Sequence, residues 1–433
     1  MVLETPRTPG CYDRYAGLAK ALRFAAGLLL VMLPGGMVVA NRSSPLLLAV
    51  AAVLAIGVVV IEGRWATMLA EVRRAILSHL GVAMLALALW AWASLAWSSS
   101  PTTSLYSLGE VFLPVASAMV LTIGLAGQCV YFSGRFLSAA LAAGLVAGCL
   151  LFLLDFATGM DLHRFVGGRQ QPFVLNRAAL TIVVLSVPIL FWFTTEWNAP
   201  RAARLLLWAA VPALAVRSQS GAAVLGAAVG FGMYLTARIS RRIALGATLC
   251  GVFLAFTLAP MVGDLTFRGM PSVVHDQMAG ASSRARVAIW QAFGVAVRER
   301  PLTGWGFGTS SVMAEAHGLE VLAPERRAFL GVGHPHNTAL QIWAELGVVG
   351  AALACLTSAL LLNSVARGPP EFLPARLALI AGTMAVAVVG HGAWQGWWIA
   401  SLGASVIVFR SAAESRVVRA AAQTGATVAT HYP

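Results

Sequence analysis

Pro45-Leu46-Leu47-Leu48-Ala49-Val50-Ala51-Ala52-Val53-Leu54-Ala55-Ile56-Gly57-Val58-Val59-Val60-Ile61 decides the fold class. The run holds no charged, amide or hydroxyl side chain. A helix needs about 17–25 apolar residues to cross a bilayer, and this run is long enough. Runs of the same kind recur along the 433 residues, of which 59% are hydrophobic and only 11% charged, with mean hydropathy +0.79. Soluble chains carry about 25% charged residues. In lipid the backbone must satisfy its own polar groups, so these runs predict helices. The alternating segments of about 10 residues that make an outer-membrane barrel are not seen. The expected fold class is therefore an all-α polytopic membrane protein.

About twelve transmembrane helices are expected, at 18–40, 45–61, 80–97, 108–127, 136–157, 178–195, 203–216, 219–237, 243–260, 337–363, 376–392 and 394–410. The first apolar run is longer than the core of a cleaved signal peptide, so it reads as a retained span. The chain reads as one integral membrane domain, 1–433, with a long outer loop at 261–336 and a tail at 411–433. Within the loop, Val287, Trp290, Phe293 and Val297 recur at helical spacing. They predict a short amphipathic helix, lying either in the membrane interface or against the bundle.

Charge sets the orientation. The net charge is +13, yet the basic residues lie between spans rather than in one patch, so nucleic acid is not an expected partner. Lys20 is the only lysine. With the N-terminus inside, Arg7, Arg14, Lys20, Arg23, Arg64, Arg73, Arg74, Arg135, Arg201, Arg204, Arg238, Arg241, Arg242, Arg367 and Arg376 fall on the cytoplasmic side. Arg410, Arg416 and Arg419 join them. The short outer loops hold only Arg42 and Arg217. This bias predicts that both termini are cytoplasmic. Arg164, Arg169, Arg177, Arg268, Arg284, Arg286, Arg298, Arg300, Arg326 and Arg327 break the pattern by lying in longer outer loops. Such loops cross regardless of charge, but arginine's planar, permanently charged fork also suits phosphate.

The five cysteines, Cys11, Cys129, Cys149, Cys250 and Cys355, are scattered and form no metal or redox motif. Asp155, Asp161, Asp264 and Asp276 read as solvated outer acids, and His163 and His275 as surface residues.

The sharpest local signal is Gly333-His334-Pro335-His336-Asn337-Thr338-Ala339-Leu340-Gln341, followed by Trp343-Ala344-Glu345-Leu346-Gly347-Val348-Val349-Gly350, where the long loop returns to the membrane. An imidazole there can take a proton from a hydroxyl near neutral pH. Either His334 or His336 could instead be structural. His391, with Trp394 and Gln395, reads as a packed interfacial cluster or as part of the same cavity.

This stretch resembles the signature of the O-antigen ligase and polysaccharide polymerase superfamily. So does Arg286-Val287-Ala288-Ile289-Trp290, followed by Glu299-Arg300-Pro301-Leu302-Thr303-Gly304-Trp305-Gly306-Phe307-Gly308. Asn176-Arg177-Ala178-Ala179-Leu180 is similar to the family's arginine at the outer start of a middle span. Ser218-Gln219-Ser220-Gly221-Ala222, next to Arg217, resembles a further element.

The resemblance implies glycosyl transfer at the periplasmic face of a bacterial inner membrane. The donor would be an undecaprenyl-pyrophosphate-linked glycan, and the acceptor another glycan or lipid A–core. It implies His336 as the base and Arg177 and Arg286 on the pyrophosphate, with His334, Asn337, Glu345, Arg217 and His391 as possible support. No Asp-x-Asp pair occurs, so no metal and no cofactor are expected. The rival reading from charge and span number is a flippase or transporter of lipid-linked oligosaccharide.

Overall fold

A computed structural model describes residues 9–269 and 282–424. Arg7, His275 and Asp276 lie outside the described residues. The chain is helical, and among the described residues ten helices are long and apolar enough to cross a membrane. The other two expected spans are present as shorter helices, Arg201–Val216 and Leu373–Ala387. At ~1.5 Å per residue neither reaches the ~30 Å of a hydrocarbon core. The second of them ends at Ala387 rather than at 392. Gly390 follows closely, and a Cβ there would meet the Val386 carbonyl oxygen at 2.6 Å.

The helices show why they need lipid. On Ser44–Ile61 the small residues Ala51, Ala52 and Ala55 are buried with Leu48 and Val58, while Leu46, Val53 and Val60 are exposed. Small residues inward and large apolar residues outward is the packing of a helix whose outer face meets hydrocarbon.

The chain divides into two compact units. The first comprises residues 1–74, 113–210 and 396–433. Its most enclosed helix is Asn176–Glu196, against which Gly134–Ala157 and Gly396–Thr424 pack. Gly144 and Gly148 let Gly134–Ala157 approach the helix Pro9–Val39; a Cβ at Gly144 would sit 2.2 Å from the Val31 carbonyl oxygen. Arg23 and Glu62 form a buried ion pair at 2.6 Å, and Arg64 adds a second bond to the same carboxylate at 2.7 Å. The last helix continues beyond 410 to Thr424, with Glu414 and Ser415 buried.

Asp155 and His163 depart from the sequence reading. Neither is solvated: Asp155 is 1% exposed and His163 3%. His163 Nδ1 lies 2.5 Å from Asp155 Oδ2. A carboxylate taken out of water must be paired, and the turn after Ala157 folds back to supply the partner.

The second unit comprises 75–112 and 211–395. Gly221–Ile239 and Leu373–Ala387 touch backbone to backbone, since a Cβ at Gly382 would meet the Gly226 carbonyl oxygen at 2.7 Å. The helix Thr338–Arg367 packs on His79–Ala93 and Arg241–Leu258. The long loop is itself folded. Its helix Ser282–Glu299 buries Ile289, Phe293, Ala296 and Val297 in one apolar cluster with Trp305, Met313, Leu319, Leu330 and Leu340. Of the two settings open to this amphipathic helix, the structure places its apolar face in a protein core.

Candidate active site

The helix Thr338–Arg367 is interrupted at Gly347, whose φ of 64° and ψ of −165° are not helical. Breaking a helix frees carbonyls that hydrocarbon cannot satisfy. Three successive carbonyls find outside donors. Trp305 N–H donates to Ala344 (3.0 Å), Gly306 N–H to Glu345 (2.8 Å) and Trp90 Nε1–H to Leu346 (2.9 Å). Val348 N–H in turn donates to the Pro301 carbonyl at 2.8 Å.

The Pro301–Gly308 stretch thus lies directly on the break. Its glycines are there for contact: a Cβ on Gly304 would meet the Glu345 carbonyl carbon at 2.3 Å, and one on Gly347 the Leu302 oxygen at 2.2 Å. The glycine run and the Glu-Leu-Gly run are two halves of one backbone joint.

Glu345 clamps this joint from a fully buried position. Gly308 N–H (2.6 Å), Ser310 N–H (3.2 Å), Gln341 Nε2–H (2.9 Å) and Trp394 Nε1–H (2.5 Å) all donate to its carboxylate. Four donors and no acceptor suit an ionised carboxylate, which only accepts. Gln341 Oε1 also accepts from Ala393 N–H at 2.8 Å. Glu345 and Gln341 therefore anchor the turn at 388–395, which carries the next contact.

His336 sits just before the helix, half-buried, with φ of 52°. A left-handed histidine costs about 1–2 kcal/mol and needs surroundings that enforce it. Its Nδ1–H donates to the Gly390 carbonyl at 2.7 Å. Because a carbonyl can only accept, Nδ1 carries the proton and Nε2 of the neutral ring keeps its lone pair. Burial pushes the His336 pKa down, and the Arg286 guanidinium pushes it the same way, against the opposing bond to Gly390. The ring is therefore held as a neutral base with its basic nitrogen defined.

The neighbours have distinct tasks. Asn337 caps the helix, its Oδ1 accepting from Leu340 N–H at 3.0 Å. His334 stands edge-on to His336 with ring centroids 4.3 Å apart. His334 Nδ1 accepts from the His336 N–H at 3.3 Å, and Nε2 lies 3.4 Å from the Gln395 amide. An accepting Nδ1 puts the proton on Nε2, which Gln395 then meets best through its amide oxygen. Trp290 Nε1–H donates to the Pro335 carbonyl at 2.8 Å. Arg286 is one helical turn before Trp290 and so shares its face. The Arg-x-x-x-Trp spacing thus fastens the histidine turn with one residue and brings a positive charge to it with the other.

Among the sequence-predicted residues, this unit brings together His336, His334, Asn337 and Arg286, with Glu345 behind them. His391 is buried on the same turn as Gly390, its Nδ1 3.0 Å from the Gly392 carbonyl. Arg217 is exposed, beside Ser220, which caps the helix Gly221–Ile239. Arg177 belongs to the first unit, where its guanidinium lies 5.8 Å from the Trp397 ring centre. Among the described residues no group of three His, Cys, Asp or Glu side chains could hold a metal ion. The sequence reading missed the role of Gly390. A backbone carbonyl leaves no side-chain signal, and only the glycine in front of His391 marks the place.

Residues 205–355 match the model of a family described as O-Antigen ligase. The matched stretch holds the arginine helix, the glycine joint and the histidine turn. The resemblance to the O-antigen ligase family is borne out. Related proteins agree with it. A protein of Rickettsia prowazekii named "Putative polysaccharide ligase" is 24% identical over 322 residues, covering 72% of this chain and 75% of its own. One of the same name from Rickettsia felis is 24% identical over 327 residues with the same coverage. Another from Rickettsia bellii is 26% identical over 277 residues, 61% of this chain and 64% of its own. The O-antigen ligase match ends before the 388–395 turn and begins after Arg177, so both lie outside it.

Proposed function

We propose that the chain transfers a glycan from an undecaprenyl-pyrophosphate carrier to an acceptor hydroxyl at the periplasmic face of the inner membrane. It acts as an O-antigen ligase or as an O-antigen or exopolysaccharide polymerase. The observation that carries this reading is His336, whose Nδ1–H is committed to Gly390 and whose Nε2 is left basic beside Arg286.

Nε2 takes the proton of the acceptor hydroxyl as its oxygen bonds to the anomeric carbon. The bond from that carbon to the pyrophosphate oxygen breaks, and the pyrophosphate leaves with the electron pair. Arg286 stabilises its charge; fixed positive groups facing developing negative charge are the largest contribution expected in such a site. A pyrophosphate leaves readily, so no general acid is required. Glu345, Gln341 and Asn337 act through the backbone they hold. Lipid A–core or a second lipid-linked glycan serves as acceptor.

Reconstitution tests this. Purified protein is given undecaprenyl-pyrophosphate glycan with lipid A–core or with a second portion of donor, and product size is read on a gel. Transfer by the unaltered protein and a loss of at least ~10²-fold in His336→Ala, the range of a general base, are expected. Equal transfer by His336→Ala would remove the base.

A further inference from the structure

The first unit holds a cavity of about 500 Å3, within the range of small-ligand pockets. Three segments of chain meet there and each brings one arginine. Arg42 comes from the turn between the first two helices, Arg169 from the turn after the helix Asp161–Phe165, and Arg177 from the first turn of Asn176–Glu196. Among the described residues that line it there is no carboxylate.

Each segment is tied in place. Asn41 Nδ2–H donates to the Val174 carbonyl at 3.3 Å, joining the turn of Arg42 to the segment that leads into Arg177. Asp155 Oδ1 accepts from Leu162 N–H at 2.9 Å, and Asp155 Oδ2 receives His163 Nδ1–H at 2.5 Å. The His163 carbonyl accepts Gly168 N–H at 2.7 Å. Gly168 directly precedes Arg169. His163 itself lines the cavity, and its carbonyl holds the glycine that precedes Arg169.

Arg42 and Arg169 are exposed and Arg177 is half-buried, so their guanidiniums are open to an anion entering the cavity, and such an anion offsets the mutual repulsion of three positive charges lining one space. We propose that this cavity is a diphosphate site in which Arg42 and Arg169 join Arg177, with Asp155 and His163 as a positioning pair that sets Arg169. The proposal rests on the donor reading for the diphosphate's origin, since a free and a lipid-linked diphosphate present the same oxygens.

Calorimetric titration of the purified full chain in detergent tests it, with three probes: inorganic pyrophosphate, farnesyl diphosphate, and nanodiscs of phosphatidylglycerol. Both diphosphates bind the unaltered protein, and the prenylated one binds more tightly if the lipid-linked form is the natural ligand. Arg42→Gln and Arg169→Gln each weaken binding by about tenfold or more, the loss of a charge-assisted hydrogen bond. Exposed Arg326→Gln leaves it unchanged. His163→Gln and Asp155→Asn weaken it less. Either of these combined with Arg169→Gln is no weaker than Arg169→Gln alone, because the pair acts through that arginine; additive losses overturn the positioning role.

If the Arg42→Gln/Arg169→Gln double variant binds both diphosphates as well as the unaltered protein, the site is overturned. Tighter binding to phosphatidylglycerol than to farnesyl diphosphate overturns it as well. Glycan transfer separates the two readings. Normal transfer by that double variant sinks the site and leaves the function standing. Diphosphate binding through these arginines in a protein that transfers nothing sinks the function and leaves the site.

Discussion

His336 combines three constraints that rarely coincide by accident of packing: a left-handed backbone, a ring proton fixed by a carbonyl, and a guanidinium nearby. The backbone sets where the ring stands, the bond to Gly390 defines which nitrogen is basic, and burial with Arg286 favours the neutral ring over the opposing pull of that bond. The consequence is a pH dependence with a definite sign. Burial and Arg286 both disfavour the imidazolium, so His336 stays neutral to a pH below the usual histidine range. The acid limb of kcat/KM, which reports the free enzyme, should therefore fall below pH ~6.5. Removing the charge in Arg286→Gln takes away one lowering influence, so the limb should move to higher pH while the maximum rate drops. A pH profile of the reconstituted reaction measures both. An unmoved limb in Arg286→Gln would mean that the arginine does not act on the base.

Motifs far apart in sequence become single objects in the folded chain. The glycine run at 304–308 and Glu345-Leu346-Gly347 are two sides of one joint, and Arg286 and Trp290 serve the histidine turn from a different helix. The sequence marked the residue types well, because glycines at regular spacing and a Trp one turn from an Arg are visible without a structure. It did not show their partners, because backbone carbonyls such as Gly390, Leu346 and Pro335 carry no signal. The same limit explains Asp155 and His163. Their types suit solvent, and only the turn that folds back over Ala157 buries them. Asn337, expected only as possible support for the site, is in the structure a helix cap, a place asparagine favours. The joint makes its own prediction. Gly347→Ala must place a Cβ about where the Leu302 oxygen now lies and hold a left-handed backbone as well, at about 1–3 kcal/mol for the backbone alone. Thermal unfolding in detergent should show a clear loss of stability, with transfer lost as the glycine loop lifts away. Gly232→Ala, on an exposed helix face with open space around it, should change neither.

Across the whole chain, hydrophobicity specifies the helices, and charge carries only the expectation of which ends face the cytoplasm. The apolar runs were legible because lipid demands length and tolerates few charges. Arg201–Val216 was legible as a short helix from its 203–216 run, whereas Leu373–Ala387 was read on to 392, since the glycine-containing turn after it reads as apolar in composition. Orientation is a separate deduction, resting on Lys/Arg bias alone, and the proposed chemistry depends on it because a periplasmic donor must meet the histidine turn. A variant with all five cysteines replaced provides the background for a test. Glu325→Cys lies at an exposed position in the loop that ends at His336, and Ala75→Cys at an exposed position in the helix Trp65–Leu77. In spheroplasts, a membrane-impermeant maleimide should label Glu325→Cys directly and Ala75→Cys only after permeabilisation. The reverse pattern would put the base on the cytoplasmic side, where a periplasmic donor could not reach it, and the proposed reaction would fall with it.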